Sequence, residues 1–145
     1  MHYMMILKGS ADCEAGKKPP EDILSAIRNY TQELRKAGAL VELSRLYPSS
    51  KGARVKLSGG NAIVTDGPFA ETKEVVGGYW VIEASSMSEA VEWAKRVPAA
   101  HGNAEETVIE IRQFQELEDF VPGEAVHSAL GVGRELAKAS AQKQS

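Results

Sequence analysis

The order of strand-like and helix-like segments constrains the fold of this chain more than any other feature of its sequence. Apolar runs of strand length alternate with segments of helical periodicity as strand, helix, strand, hairpin, strand, helix, strand. With the hairpin treated as an insertion, this order is βαββαβ, the split βαβ arrangement of an α+β domain. We expect the two helices to cover one face of the sheet.

The first helix has the clearest signals. Pro19 and Pro20 precede two acidic residues, which suits a helix start because proline is tolerated in the first turn and acids favour the positive end of the helix dipole. Gly38 supplies the stop. Between them, apolar residues recur at helical spacing: Ile23, Ile27, Tyr30, Leu34 and Ala37.

Shorter patterns predict the other elements. Residues 2–8 form an apolar run typical of a central strand, and residues 9–18 are expected to form a loop. Ser86 with Glu89 three residues later predicts a capping box, which opens a second helix that ends at Val97. Further strands are expected at 40–47, 54–57, 62–65, 79–84 and 107–114, with Val41, Leu43, Arg45 and Tyr47 sharing one face of the second strand.

These elements predict one domain over residues 1–115 and a partly helical C-terminal extension over residues 116–145. The helices leave the other face of the sheet apolar and bare, and apolar patches above a few hundred Å² are unusual on a monomer. A second copy is the simplest cover, so we expect a homodimer. Clefts beside such sheets are where a small ligand would fit.

Charge and cysteine content exclude several classes of protein. The 17 Lys and Arg residues are scattered and are outnumbered by 20 Asp and Glu, which argues against a nucleic-acid partner. Cys13 is the single cysteine and has no partner for an internal disulfide. No segment approaches the roughly 20 apolar residues that span a bilayer, and the opening run is too short for a signal-peptide core. We therefore expect a cytoplasmic protein that binds no membrane.

The histidines predict no metal site. His2, His101 and His127 lack metal-ligand spacing, no CxxC or HExxH accompanies them, and no GxxxxGK phosphate loop is present. We therefore expect neither a metal nor an organic cofactor. His101 lies in an expected loop, where it either approaches the cleft as a second catalytic candidate or is simply exposed.

A charged loop, DGPFAETKE at residues 66–74, interrupts two apolar strands. Asp66 is the first candidate for catalysis, as a general acid or base, but it also suits the cap of its own Asp-Gly-Pro turn. Phe69 is expected to anchor the loop on the core and is also a ligand-binding candidate. Glu71 and Lys73 either clamp a ligand together with Glu74 or form a solvated face with ion pairs inside the loop.

Two arginines in apolar strands are further ligand-binding candidates. Arg45 and Arg112 would bind a carboxylate or phosphate through paired hydrogen bonds if they point into the cleft. The alternative for Arg112 is an ion pair with Glu110 on a sheet edge. The glycines at 77 and 78 indicate a β-bulge or a close approach of a ligand.

The loop DGPFAETKE resembles the signature of the YCII-related family, in particular its DGPF branch. A Met-Tyr-rich opening strand, a Gly-Gly-Tyr-Trp strand and a Val-Ile-Glu-Ile-Arg strand extend the resemblance over about residues 1–115. It implies a ferredoxin-like α+β domain that pairs into a dimeric α/β barrel. Some relatives use a His–Asp dyad with the His near the start of the first helix, but residues 19–30 contain no His, so that dyad is not carried over.

Three functional hypotheses follow. The first is a cofactor-free acid–base enzyme acting on a small, potentially anionic organic molecule, with Asp66 as acid or base and an arginine orienting the substrate. The second is a non-catalytic ligand-binding or signalling module, because DGPF-type proteins resemble segments found beside extracytoplasmic-function sigma factors. In the third, residues 66–74 are chiefly structural and close the fold and the dimer.

Overall fold

The computed structural model describes residues 1–98, 106–116 and 119. These residues form an α+β fold with six strands and three α-helices, which confirms the predicted α+β class. The strands are β1 (His2–Lys8), β2 (Leu40–Arg45), β3 (Ala53–Ser58), β4 (Asn61–Asp66), β5 (Val76–Glu83) and β6 (Ile109–Gln113). The helices are α1 (Ala11–Glu14), α2 (Glu21–Lys36) and α3 (Met87–Lys95).

Four strands form an open antiparallel sheet in the order β2-β5-β1-β6. The expected central position of β1 is confirmed, since it pairs with β5 on one side and β6 on the other. Its alternate residues Tyr3, Met5 and Leu7 are buried on one face. Met5 pairs with Trp80 of β5, which is buried on the same face.

Helices α2 and α3 cover this buried face. Tyr30 and Leu34 of α2 and Ala90 of α3 belong to the same core cluster as the buried residues of β1 and β5. The Tyr30 ring meets Trp80 edge-on at 6.1 Å between centroids, and its hydroxyl donates to the Trp93 carbonyl at 2.9 Å. Burial foremost raises the pKa of the Tyr30 phenol above its ordinary value.

The predicted ends of both long helices are confirmed with small differences. Helix α2 begins directly after Pro20, and Gly38 has the positive φ of +69° that ends it. At α3, the Ser86 hydroxyl accepts from the Glu89 N–H as expected, but the Glu89 carboxylate accepts from the Ser85 N–H rather than that of Ser86. Hydrogen bonds from Ser85 lower the pKa of Glu89.

The hairpin β3–β4 forms a separate two-stranded sheet. Its turn was predicted from Ser58 to Asn61, and Gly59 and Gly60 at its centre both have positive φ, a region that glycine enters without steric cost. All residues of both strands are exposed. The hairpin therefore stands apart from the core formed by the four-stranded sheet.

Three sequence predictions need correction. Residues 9–18 are not all loop, because α1 forms within them with Ser10 as a cap that accepts from the Cys13 N–H. Strand β2 ends at Arg45, and Val41 is an extra residue at a register shift, so it leaves the face shared by Leu43 and Arg45. Strand β5 begins at Val76, and Gly77 is the extra residue of a bulge opposite β1.

The chain divides into two compact units, Met1–Gln113 and Phe114–Ser145. In the second unit only residues 114–116 and 119 are described, so the predicted C-terminal helix lies outside the described residues, as do His101 and His127. Within the described part of the chain, no helix is long and apolar enough to cross a membrane.

Candidate functional site

A cavity of about 550 Å³ lies between the β2 edge of the four-stranded sheet and the segment that connects α1 to α2. Its apolar wall combines sheet and helix residues: Leu7, Ile27, Leu43 and Trp80. Its polar wall comes from α1, from the connecting segment and from the end of β2: Asp12, Cys13, Lys17, Lys18 and Arg45. We call it the α1–β2 cavity.

Local backbone features shape the α1–β2 cavity. Gly16, with φ of +74°, turns the chain after α1, and the segment through Pro19 and Pro20 then leads into α2 along the cavity. On the sheet side, a Cβ at Gly78 would lie 2.9 Å from the Ser44 carbonyl oxygen, so only glycine permits this approach of β5 to β2. Gly77 and Gly78 both line the cavity.

The rim of the α1–β2 cavity carries more positive than negative charge. Lys17 pairs with Asp12 at 3.0 Å. Lys18 and Arg45 have no ion pair with any residue that the structure describes, and both are exposed at the rim. Two cations therefore remain available beside an apolar surface, an arrangement that suits an anion.

Trp80 and Tyr79 of β5 both line the cavity and carry further donors, but their side chains lie on opposite faces of the sheet. The indole N–H of Trp80 is buried and has no hydrogen-bond partner among the described residues. A buried donor left unpaired costs free energy, which an acceptor on a ligand would recover if it reached this N–H. The Tyr79 hydroxyl donates to the Glu42 carboxylate at 2.7 Å, and this hydrogen bond foremost raises the pKa of Tyr79.

The loop at residues 66–74 is built into a hydrogen-bonded turn outside the α1–β2 cavity. Asp66 is exposed at the end of β4 and is not among the residues that line the cavity. The Gly67 N–H donates to the Gly52 carbonyl at 2.9 Å, and the Phe69 N–H donates to the Ser49 hydroxyl at 3.0 Å. The peptide bond between Gly67 and Pro68 is cis.

Ser49 ties this loop to α1. It is buried, and its hydroxyl and backbone N–H both donate to the Glu14 carboxylate, the N–H at 3.0 Å. A Cβ at Gly67 would lie 1.7 Å from the Ser49 carbonyl oxygen, so the loop packs directly on this backbone. The start of the motif thus serves a structural role that sequence reasoning listed as one of three hypotheses.

The other predicted site residues lie apart from one another. Phe69 is half-buried under the Arg54 guanidinium, 3.9 Å from its ring centroid, and lines a second cavity of about 390 Å³. Lys73 lines a third cavity, also about 390 Å³, while Glu71 is exposed. Arg112 lies 3.7 Å from Glu110, the ion pair that the sequence offered as the alternative to a ligand-binding role.

Arg45 is therefore the one predicted ligand-binding residue in the α1–β2 cavity, and His101 lies outside the described residues. Sequence reasoning missed Lys17, Lys18 and Trp80 as lining residues. The adjacent lysines immediately before Pro19 were a usable signal, because they place two cations at the start of a helix on the core. No sequence signal marked Trp80 as a cavity-lining residue, since a tryptophan in a buried strand usually packs in the core.

The family model for the YCII-related domain matches residues 1–115. The chain belongs to the YCII-related family. An uncharacterised protein of Rhizobium meliloti is 35% identical to this YCII-related chain over 88 residues, which cover 61% of this chain and 68% of that protein. The name of that relative assigns no activity, and it therefore suggests no ligand for the α1–β2 cavity of this YCII-related domain.

The groups of the α1–β2 cavity suit ligand binding more directly than proton transfer. The two cations without ion pairs can donate hydrogen bonds to a ligand, whereas Asp12 is held in an ion pair with Lys17. Among the described residues, no group of three or more His, Cys, Asp and Glu is placed to hold a metal ion. The arrangement can thus hold an anionic group at the rim and an apolar body on the wall.

Proposed function

We propose that this YCII-related chain binds a small organic anion in the α1–β2 cavity. The observation that carries the proposal is that an apolar wall lies beside two cations, Arg45 and Lys18. Neither cation has an ion pair within the described residues. A volume of about 550 Å³ falls within the range of small-molecule sites. An anionic head at the rim and an apolar body against Leu43 and Trp80 would use both surfaces.

Arg45 is proposed to orient the ligand. Its planar guanidinium can donate two parallel hydrogen bonds to a carboxylate, which fixes the direction of the ligand as well as adding affinity. Lys18 adds a second charge without that directionality. Because both side chains are exposed, their contribution in the empty cavity is screened by water and grows only as the ligand excludes solvent.

A cofactor-free acid–base reaction on the bound molecule is the second candidate. It rests on two acidic groups: Asp12 at the rim of the α1–β2 cavity beside Lys17, and Asp66 outside the cavity at the end of β4. Asp66 would have to meet a substrate outside the α1–β2 cavity, whereas Asp12 would meet it inside. If turnover of a bound molecule is found, the response of its rate to Asp12→Asn and to Asp66→Asn tells the two apart.

The proposal also covers assembly and setting. The strand order β2-β5-β1-β6, with α2 and α3 on one face, supports a ferredoxin-like domain. On its other face, Met4 and Ile6 are half-buried and Val81 is buried, and a second copy would cover what remains exposed there in a homodimeric α/β barrel. The resemblance of DGPFAETKE supports membership of the DGPF branch and, with it, a signalling role beside a sigma factor as the non-catalytic form of the function. A cytoplasmic setting, expected from the sequence, stays part of the proposal.

Binding can be tested with the protein's own tryptophans. Trp93→Phe leaves Trp80 as the single reporter at the cavity wall. In this background we would titrate benzoate, hexanoate and inorganic phosphate and follow both the fluorescence and the thermal midpoint. We expect the two organic carboxylates to bind and to raise Tm, because only they carry an apolar body.

Substitutions then assign the site. Arg45→Ala should weaken binding by about 10–100-fold, the range for losing a charged hydrogen bond of about 1.5–3 kcal/mol. Arg112→Ala is the matched control, since Arg112 is an exposed arginine that does not line the cavity. Equal loss in both variants, binding of phosphate alone, or no binding of either carboxylate would reject the proposal.

A further inference from the structure

The hairpin β3–β4 carries an apolar face that nothing in the described part of the chain covers. Its strands pair from Ala53 opposite Asp66 to Ser58 opposite Asn61. Because strand side chains alternate, Val55, Leu57, Ala62 and Val64 lie on one face. Leu57 is 79% exposed, Val55 61% and Val64 62%. The opposite face is largely polar, with Arg54, Lys56 and Thr65 beside Ile63.

An exposed ribbon of this kind is unstable by itself. A two-stranded hairpin is only marginally stable in water without packing on one face, and exposed apolar strands with free edges invite association. Among the described residues, Arg54 stacks on Phe69 and Gly67 packs on the Ser49 backbone, and both contacts lie at the base of the hairpin. The far half of the ribbon, around Leu57, therefore gains most from a covering surface.

We propose that this apolar face packs against the same face of a second copy of the chain. The face carries no charged residue except Asp66 at its base, so two copies can meet there without like charges in contact. With a twofold axis parallel to the strands, β3 of one copy lies over β4 of the other. Leu57 then meets Ala62, Val55 meets Val64, and Asp66 meets Ala53 rather than another carboxylate.

Side-chain size supports the same arrangement. Leu57 and Ala62 are direct cross-strand neighbours, so each copy presents a large residue beside a small one. The twofold operation places the large side chain of each copy over the small side chain of the other, and the two valines fill the centre. Packed faces of this kind interdigitate when bulky and small residues oppose each other.

The area of the hairpin face limits how much this contact can contribute to a dimer. Strands of six residues are roughly 20 Å long and a two-stranded ribbon is roughly 10 Å wide, so the contact covers about 200 Å² per copy. A stable interface needs about 800 Å² per partner. The hairpin contact therefore cannot hold a dimer alone, and the inference rests on the proposed homodimer, to whose sheet-face interface the hairpins add.

Dimer affinity is the first test. Leu57→Thr keeps a strand-forming residue but removes the apolar contact, so it should weaken the dimer by about tenfold or more in sedimentation equilibrium, as for loss of a buried leucine. Ile63→Thr removes a similar apolar side chain from the opposite face and should change the dissociation constant less than about twofold. Both variants are checked for an unchanged fold by circular dichroism.

Thiol cross-linking is the second test and does not depend on affinity. In a Cys13→Ser background, Val64→Cys places one thiol on the apolar face of each copy, and Thr65→Cys places it on the other face. A short bifunctional thiol reagent should join Val64→Cys chains into covalent dimers and leave Thr65→Cys chains single.

The outcomes separate this inference from the homodimer itself. A wild-type chain that stays monomeric at all concentrations overturns both. A dimer that Leu57→Thr leaves unchanged, with no cross-linking of Val64→Cys, overturns the hairpin contact alone. Cross-linking of Thr65→Cys as efficient as that of Val64→Cys overturns the assignment of the face.

Discussion

Replacing Ser49 by alanine tests whether the loop at residues 66–74 is held by the hydrogen bonds that the structure shows. The substitution deletes one hydroxyl, which donates to the Glu14 carboxylate and accepts from the Phe69 N–H at 3.0 Å. The backbone bond from the Ser49 N–H to Glu14 remains. The expected loss therefore concerns two hydrogen bonds, one of them to a charged group.

The magnitude follows from the two bonds. A hydrogen bond to a charged group contributes about 1.5–3 kcal/mol and a neutral one about 0.5–1.5 kcal/mol. Because Glu14 and Phe69 are only half-buried, water can replace part of each bond, so we expect a decrease of about 2–3 kcal/mol in the free energy of unfolding. At about 3 °C per kcal/mol for a chain of this size, Tm should fall by about 6–9 °C.

Urea unfolding at neutral pH measures this loss, with Ser50→Ala as the matched control. Ser50 is the exposed neighbour in the same turn, and its substitution should cost less than about 0.5 kcal/mol. Glu14→Ala in both backgrounds completes a double-mutant cycle, in which the coupling should exceed about 1 kcal/mol. Equal stability of Ser49→Ala and Ser50→Ala, or a coupling near zero, would refute the reasoning.

Two more predictions concern the stability of the fold. Gly67→Ala should cost about 3 kcal/mol or more, because its Cβ would lie 1.7 Å from a Ser49 backbone oxygen, while Gly77→Ala, with its nearest atom at 3.5 Å, should cost far less in the same unfolding assay. Tyr30→Phe should cost about 1 kcal/mol at pH 7 through loss of the bond to the Trp93 carbonyl. Since burial raises the pKa of Tyr30 in the folded state above 10.0, the stability that this group adds is present below pH 10 and is lost as pH rises further. The difference between wild type and Tyr30→Phe should therefore shrink from pH 9 to pH 11, and a constant difference would contradict the assignment.

Elements with strong local signals were predictable from the sequence. Helix α2 has proline before its first turn, apolar residues at helical spacing and Gly38 after its end, and all three act within a few residues of one another. The hairpin turn is equally local, because Gly59 and Gly60 alone accept its positive φ values. The glycine pair at 77 and 78 indicated a β-bulge within the strand, and Gly77 is the extra residue opposite β1.

The parts that escaped prediction depend on contacts between distant segments. Helix α1 has only four residues, too few for a periodic pattern, although Ser10 before Asp12 was an available capping signal. The α1–β2 cavity joins residues from 7 to 80, and no periodicity in a single segment encodes that meeting. The bond from Ser49 to Glu14 spans 35 positions, so no local pattern predicted that the loop at residues 66–74 would be attached to α1 through Ser49.

The attachment at Ser49 links the loop at residues 66–74 to the wall of the α1–β2 cavity. The loop can therefore influence the proposed ligand binding without touching the ligand. Helix α1 contributes Asp12 and Cys13 to the cavity wall. Its third contribution is Glu14, which accepts the hydrogen bonds from Ser49, so the same four-residue helix contacts both the cavity and Ser49. Ser49 in turn receives the Phe69 N–H, and Gly67 packs on its backbone at the base of the hairpin. The loop at residues 66–74 is thereby attached to α1, which forms part of the wall of the α1–β2 cavity. It also lies at the base of the hairpin β3–β4, which is proposed to pack on a second copy. A motif placed between the two surfaces is expected to matter for ligand binding and assembly through position alone.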